Sequence, residues 1–320
     1  MCGILGSINF EFGSNELNLI KHRGPDDFGI DRFLIGRNKI IFSQRRLSII
    51  DLSSAGHQPM LSNCSNYSII FNGEIYNHID LRNRLPREIK YNGHSDTETL
   101  LYYLIYKGIE GLKDLNGIFS LAFLDIKNQN LFLARDPFGI KPLYFFEDGS
   151  SLIFSSEIRP IKHLTNAREI DQYSLASLLK LRYNASPHSL FKSIKKVKPG
   201  QYILINIDDS IEKRTYNYGI NSVSKKRNIK MNDALMMYQE NLEKAVKRQL
   251  LSDVDIGIML SGGIDSALIA YYAKKHYKGN LKAFTIGFEG SFYEDEISDA
   301  QETANFLNIE HQYFLNLNRL

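Results

Sequence analysis

Met1-Cys2-Gly3-Ile4 opens the chain, and the cysteine at position 2 decides how the rest is read. Cysteine is small enough for removal of the initiator methionine to be expected. That removal leaves a thiol and a free α-amine on one residue. An unperturbed α-amine titrates at about 7.7–8.0, well placed for general-base work near neutrality. The thiolate is a strong nucleophile. One residue then supplies nucleophile and base with no histidine. A cysteine beside an initiator also arises by chance, so the tripeptide is weighed with its companions.

Four companions bear on it. Asn72-Gly73 offers a side-chain amide and a backbone N–H to a developing oxyanion, or is a plain hairpin turn. Arg46 suits bidentate binding of a carboxylate, or is an ordinary strand-edge arginine. Asp96 suits an ammonium group and, with Ser95, a helix cap. His22-Arg23-Gly24-Pro25-Asp26 reads as a loop, either a substrate cover or a connection. Cys64 has no motif around it and reads as a structural or incidental thiol.

The pattern around these residues is mainly strand-like. Tyr67–Phe71 predicts a short strand ended by the Asn72-Gly73 turn. Ser95-Asp96-Thr97-Glu98 is a capping-box pattern opening a helix to about Lys107. The runs at 118–125, 130–135, 142–147 and 151–155 predict an antiparallel meander. A helix near 172–181 and a strand over 201–207 close a layered α+β region. Residues 206–232 are polar and aperiodic and read as a linker, with Lys225-Lys226-Arg227 on a solvated face.

After the linker the period changes. Residues 233–250 predict a helix, with Leu235, Leu242, Val246 and Leu250 at near-helical spacing. Strand 255–260, loop Ser261–Ser266, helix 267–277, strand 281–288 and helix 295–307 predict a parallel, doubly wound sheet. In the loop Ser261-Gly262-Gly263-Ile264-Asp265-Ser266, glycines let the backbone approach an anion, and a helix N-terminus adds free N–H groups. Asp265 would repel bare phosphate, which suggests Mg²⁺ nearby. No Gly-Lys-Ser/Thr ending follows, so this is not a Walker loop. The plainer alternative is a tight turn with a serine cap.

Length and composition set bounds. The 320 residues favour two domains. With 39 basic and 36 acidic residues, the net charge of +3 is too small to argue for nucleic acid. At 43% apolar and 23% charged residues, a mostly disordered chain is excluded. No apolar run approaches a membrane span, and no leader pattern opens the chain. Two cysteines cannot build a disulfide framework. A reducing cytoplasm is the expected setting.

Taken in order, the motifs do more than each alone. Met1-Cys2-Gly3-Ile4, His22-Arg23-Gly24-Pro25-Asp26, Arg46-Leu47-Ser48-Ile49, Asn72-Gly73-Glu74-Ile75-Tyr76-Asn77, Ser95-Asp96 and Arg135-Asp136-Pro137-Phe138-Gly139-Ile140-Lys141-Pro142-Leu143-Tyr144 closely resemble the class II glutamine amidotransferase domain of glutamine-dependent asparagine synthetases. The resemblance covers residues 2–205; Lys21, where an arginine is usual, and Arg45 depart from its common pattern. It implies an α+β N-terminal-nucleophile hydrolase fold, an α-β-β-α sandwich. It implies attack by Cys2 on glutamine, an oxyanion hole from Asn72 and Gly73, and glutamine binding by Arg46, Glu74 and Asp96.

The second half resembles the ATP-pyrophosphatase domain of the same family, at the loop and at Asp253-Val254 and Thr285-Ile286-Gly287-Phe288. This implies an α/β doubly wound domain in which Ser261, Gly262, Gly263, Asp265 and Ser266 bind pyrophosphate, and Leu260 and Ile286 contact the adenosine. The cofactors implied are ATP and Mg²⁺, the metal at Asp265. The implied reaction is ATP-dependent amidation of aspartate through an aspartyl-adenylate, with ammonia carried from the glutaminase site. The expected organisation is a glutaminase domain over 2–205, a linker over 206–232 and an incomplete synthetase domain over 233–320. The remainder would come from a longer chain, a second chain or a homodimer. Alternatives are an amidotransferase acting on another carboxylate, such as a sugar acid, and a non-catalytic truncation product.

Overall fold

Apolar residues fill consecutive positions in Ile40-Ile41-Phe42 and Ile69-Ile70-Phe71. Successive side chains on a strand point to opposite faces, so such runs need cover on both sides. The computed structural model, which describes residues 2–207, 212–219, 229–288 and 296–316, provides it. The first elements are β1 (Gly3–Ile8), α1 (Ser14–Asn18), β2 (Asp27–Ile35), β3 (Asn38–Arg46), β4 (Met60–Leu61), β5 (Tyr67–Ile75), α2 (His78–Asn83) and α3 (Asp96–Lys107). There follow β6 (Gly117–Asp125), β7 (Asn130–Arg135), β8 (Tyr144–Asp148), β9 (Ser151–Ser155), α4 (Ile158–Leu164), α5 (Gln172–Leu181), β10 (Ile194–Lys196), β11 (Gln201–Asn206) and β12 (Glu212–Asn217).

These strands make two antiparallel six-stranded sheets, ordered β10-β8-β9-β1-β3-β2 and β12-β11-β7-β6-β5-β4. Ile40, Phe42 and Phe154 of the first sheet meet Ile70, Ala122 and Leu133 of the second in one core. Ile41 and Ile153 turn the other way, to Leu17 of α1 and Ile161 of α4. Ile69 and Phe71 turn to Leu100, Leu101 and Leu104 of α3. Each such side chain, fully buried, contributes on the order of 1.5–3 kcal/mol. The layers are therefore helix, sheet, sheet, helix, as in an N-terminal-nucleophile hydrolase.

The structure revises several local expectations. Asn72-Gly73 is not a hairpin turn: β5 runs straight through it, paired Asn72 to Ser120 and Gly73 to Phe119. Gly73 is there because a Cβ would lie 2.1 Å from the Ile118 carbonyl oxygen across the sheet. The four runs after α3 are not one meander, since β6 and β7 pair in one sheet and β8 and β9 in the other. The chain crosses at Asp136, whose carboxylate accepts the N–H groups of Phe119, Phe138, Ile140 and Lys141 at 3.0–3.2 Å. The stretch read as a linker carries β12, an edge strand paired with β11 and held by Tyr216 stacked on Tyr202. Among the described residues β12 ends its sheet, and edge strands commonly carry charged and polar residues, which is why the stretch looks like a linker. The Lys225-Lys226-Arg227 cluster lies outside the described residues.

Contacts divide the chain into two units, Met1–Val223 and Ser224–Leu320. The second contains α6 (Met231–Arg248), β13 (Gly257–Met259), α7 (Ile264–His276), β14 (Lys282–Phe288), α8 (Glu296–Leu307) and β15 (Glu310–Asn316). Its three strands are parallel, in the order β13-β14-β15. Val246, Leu260, Ala273, Ala283, Ala300 and Ala304 form its core. Leu242 and Leu250 pack against that core as their spacing predicts, but Leu235 is exposed. No helix among the described residues is long and apolar enough to cross a membrane.

Candidate active site

The start of β1, the end of β3 and the end of β5 bring their residues to one pocket. Cys2, Arg46, Asn72, Gly73, Glu74 and Asp96 all line it. The nucleophile candidate is held from two sides. Its thiol contacts the Leu47 backbone, with the Leu47 N–H 3.4 Å and the carbonyl oxygen 3.6 Å from Sγ. Its own carbonyl accepts a 2.9 Å bond from Arg23 Nε. Burial pushes the Cys2 thiol above its ordinary pKa, against the lowering effect of the Leu47 N–H. A thiol raised in this way needs a proton acceptor before it can attack. Met1, whose removal would expose that acceptor, lies outside the described residues.

Arg46 is buried, and its guanidinium plane is fixed by the carbonyls of Ile50, Asp51 and Ser53. Among the described residues no carboxylate pairs with it, so its charge is available to the pocket. Opposite in sign are two carboxylates. Asp96, first residue of α3, is buried and accepts the Ile75 N–H at 2.9 Å. Burial, aided by the Glu74 charge and opposed by that N–H, pushes its pKa up to about 6. Burial also raises Glu74, against the pull of the Lys141 ammonium. The Ser95 hydroxyl accepts the Glu98 N–H at 3.1 Å, so the cap reading holds and orients the helix that presents Asp96. An anion-binding guanidinium and a carboxylate pair on one pocket suit a zwitterionic amino acid.

Asn72 is fully buried, with Nδ2 3.4 Å from both Ser120 Oγ and Ser156 Oγ. Three contributors escaped the sequence reading. Lys141 and Gln58 line the pocket, and Arg23 pins the Cys2 backbone while its Nη1 reaches Glu157 at 3.3 Å. The loop at 22–26 is thus tied to the site: Asp26 also accepts the Ser48 N–H at 2.8 Å. Arg23 and Lys141 sit inside quoted motifs, which was the available signal; Gln58 carries none. Cys64 is exposed, with Ser62 Oγ 3.3 Å from its sulfur.

The second group of expected residues lies in the second unit. Leu260 is buried, its N–H bonded to the Phe284 carbonyl at 2.9 Å. Ser261 Oγ and Ser266 Oγ lie 3.0 Å apart, closing the turn around Gly262 and Gly263. Asp265 and Ser266 are already in the first turn of α7, not in the loop, because Gly263 is the N-cap. That N-cap has no side-chain partner, so its turn offers free N–H groups. Asp265 and Ile286 are exposed. Among the described residues no group of three or more His, Cys, Asp or Glu side chains is placed to hold a metal. One carboxylate at a helix N-terminus still fits Mg²⁺, which takes most of its ligands from phosphate and water.

Residues 1–217 match the family described as glutamine amidotransferase domain, and residues 237–318 match that described as asparagine synthase. The chain is 35% identical to asparagine synthetase (glutamine-hydrolyzing) 1 of Bacillus subtilis (strain 168), over 97% of its own length and 49% of that protein. It is 30% identical to putative asparagine synthetase (glutamine-hydrolyzing) 2 of Methanocaldococcus jannaschii, over 98% of its length and 64% of the relative's. The chain thus spans about half to two thirds of these relatives. A solved structure titled as the allosteric regulatory enzyme of purine biosynthesis shares the fold, with a TM-score of 0.50 and 15% identity over 98% of this chain and 90% of that one.

Proposed function

Because this chain belongs to the glutamine amidotransferase domain family, we propose that its first unit hydrolyses glutamine at Cys2, releasing ammonia and glutamate. The observation that carries this reading is the convergence on one pocket of a half-buried thiol, an unpaired guanidinium and two carboxylates from separate chain segments. Arg46 takes the α-carboxylate of glutamine, and Asp96 and Glu74 take its α-amine. The substrate carboxamide then faces Cys2. Sγ attacks its carbon while the thiol proton passes to the Cys2 α-amine, free once Met1 is removed. Asn72 Nδ2–H and the Gly73 N–H receive the oxyanion. Collapse expels ammonia, which takes up that proton, and leaves a thioester. Water cleaves the thioester to glutamate and restores the thiol.

The second unit carries residues suited to a site for ATP. Ser261, Gly262, Gly263 and Ser266 would offer donors to pyrophosphate, Asp265 would hold Mg²⁺, and Leu260 and Ile286 would border the adenosine. When bound, MgATP supplies the adenylyl group that activates a carboxylate for attack by ammonia. Aspartate is the proposed acceptor, from the names of the relatives. The free thiols suit a reducing, cytoplasmic setting.

The test is direct. Purified protein should release glutamate from glutamine, and Cys2→Ala should abolish it while the circular dichroism spectrum is unchanged. Intact mass should show the loss of Met1. Turnover that survives Cys2→Ala, or an active chain that retains Met1, overturns the assignment.

A further inference from the structure

The Asn72 carboxamide lies against two buried hydroxyls. Ser120 is its partner across β5 and β6, and Ser156 follows β9 in the other sheet. Nδ2 is 3.4 Å from each hydroxyl oxygen, while Oδ1, also buried, has no partner. Ser156 Oγ already accepts the Ile4 N–H at 3.0 Å. In this sense of the amide, two hydroxyl protons find no acceptor among the described residues and one buried carbonyl finds no donor. Turning the carboxamide end for end satisfies both hydroxyls and the carbonyl and leaves only the amide N–H groups without a partner. Oδ1 then receives one proton from each serine, and Nδ2 takes the unpartnered position. Amide sense is decided by such proton counts, and buried polar groups are rarely left unmatched.

We infer that Ser120 and Ser156 are positioning residues that hold the Asn72 carboxamide by its oxygen and so leave its N–H for the pocket shared with Cys2. This deepens the glutaminase reading and rests on it. A donor held in place before the reaction stabilises a developing oxyanion without reorganising at that moment. Ser156 is doubly placed, because the N–H it accepts belongs to the strand that begins just after Cys2. Through it, the strand carrying the nucleophile and the amide receiving the oxyanion share one hydroxyl. Neither serine touches substrate; Ser120 acts through Asn72 alone, and Ser156 through Asn72 and the Ile4 N–H.

The experiment compares wild type with Ser120→Ala, Ser156→Ala, the double variant and each of these combined with Asn72→Ala. It reads kcat and KM for glutamine, affinity for glutamate, and inhibition by glutamate γ-semialdehyde, whose carbonyl forms a tetrahedral adduct with Cys2. Loss of one oxyanion donor costs about 10²–10³ in kcat. The double serine variant should therefore lose about 100-fold in kcat, and aldehyde affinity should fall in step. KM and glutamate affinity should stay near wild type. In the Asn72→Ala background Ser120→Ala should change kcat little, since its effect passes through that amide. Serine variants with wild-type kcat and aldehyde affinity overturn the inference. So does an undiminished loss for Ser120→Ala in the Asn72→Ala background, or a parallel loss of glutamate affinity, which a damaged fold would cause. A wild type that hydrolyses no glutamine overturns the glutaminase reading and the inference together, whereas an active wild type matched by its serine variants overturns the inference alone.

Discussion

Asp96 sits between binding and stability. Its carboxylate is buried beside Glu74, and its pKa is pushed from 3.8 to about 6. Between those values the folded chain keeps a proton that the unfolded chain gives up. Stability at this group therefore falls as pH rises from about 4 to 6 and stays at the lower level above. Asp96→Asn removes the buried charge and should stabilise the protein at pH 7 by on the order of 3 kcal/mol, the gain fading toward pH 4. Urea unfolding at the two pH values checks this, and equal stability at pH 7 contradicts it. The same change should raise KM for glutamine roughly 10-fold or more, since a charge-assisted bond contributes about 1.5–3 kcal/mol. In the wild type, KM should rise as pH falls through 6, where the carboxylate proposed to bind the ammonium group is neutralised.

At the scale of elements, β5 shows how pairing overrides local propensity. Asn-Gly favours a turn in isolation, yet nine residues from Tyr67 to Ile75 pair in register with β6. Apolar residues on both faces of the strand outweigh one turn signal, and Gly73 serves close backbone approach instead. Gly73→Ala would place Cβ 2.1 Å from the Ile118 oxygen and 2.7 Å from the Phe119 Cα. Because backbone cannot step aside as a side chain can, the cost should be at least the roughly 1–3 kcal/mol of ordinary overpacking. Chemical denaturation measures it, and a neutral substitution would show that β5 and β6 can part without loss. Glutaminase activity should fall as well, through the displaced neighbours Asn72 and Glu74.

At the scale of the whole molecule, the cores of the first unit and the core of the second share no residue. Each unit should therefore fold on its own contacts. Leu260→Ala, in the second core, should cost that unit about 2–5 kcal/mol and leave glutamine hydrolysis unchanged; a matching loss of glutaminase activity would show the units to be energetically coupled. Much was legible in advance. Helix α3 with its Ser95 cap, strands β7 and β9, helix α5 and the change to a parallel pattern follow from local periodicity and capping, which act within a few residues. Cys2, Arg46, Asn72, Gly73 and Asp96 stood out in the sequence by residue type and Glu74 only through the resemblance; all six line one pocket. The crossing of the chain between sheets at Asp136, the pairing of a polar edge strand as β12, the placing of Lys141 and Gln58 on the pocket and the serines behind Asn72 were not legible. Each depends on groups far apart in the chain meeting in space, where a carboxylate gathers four amides or a hydroxyl matches a distant carbonyl. The sequence by itself determined the elements and the chemical groups; only the tertiary structure decided which of them share buried surroundings, because burial and long-range hydrogen bonding are properties of the folded chain.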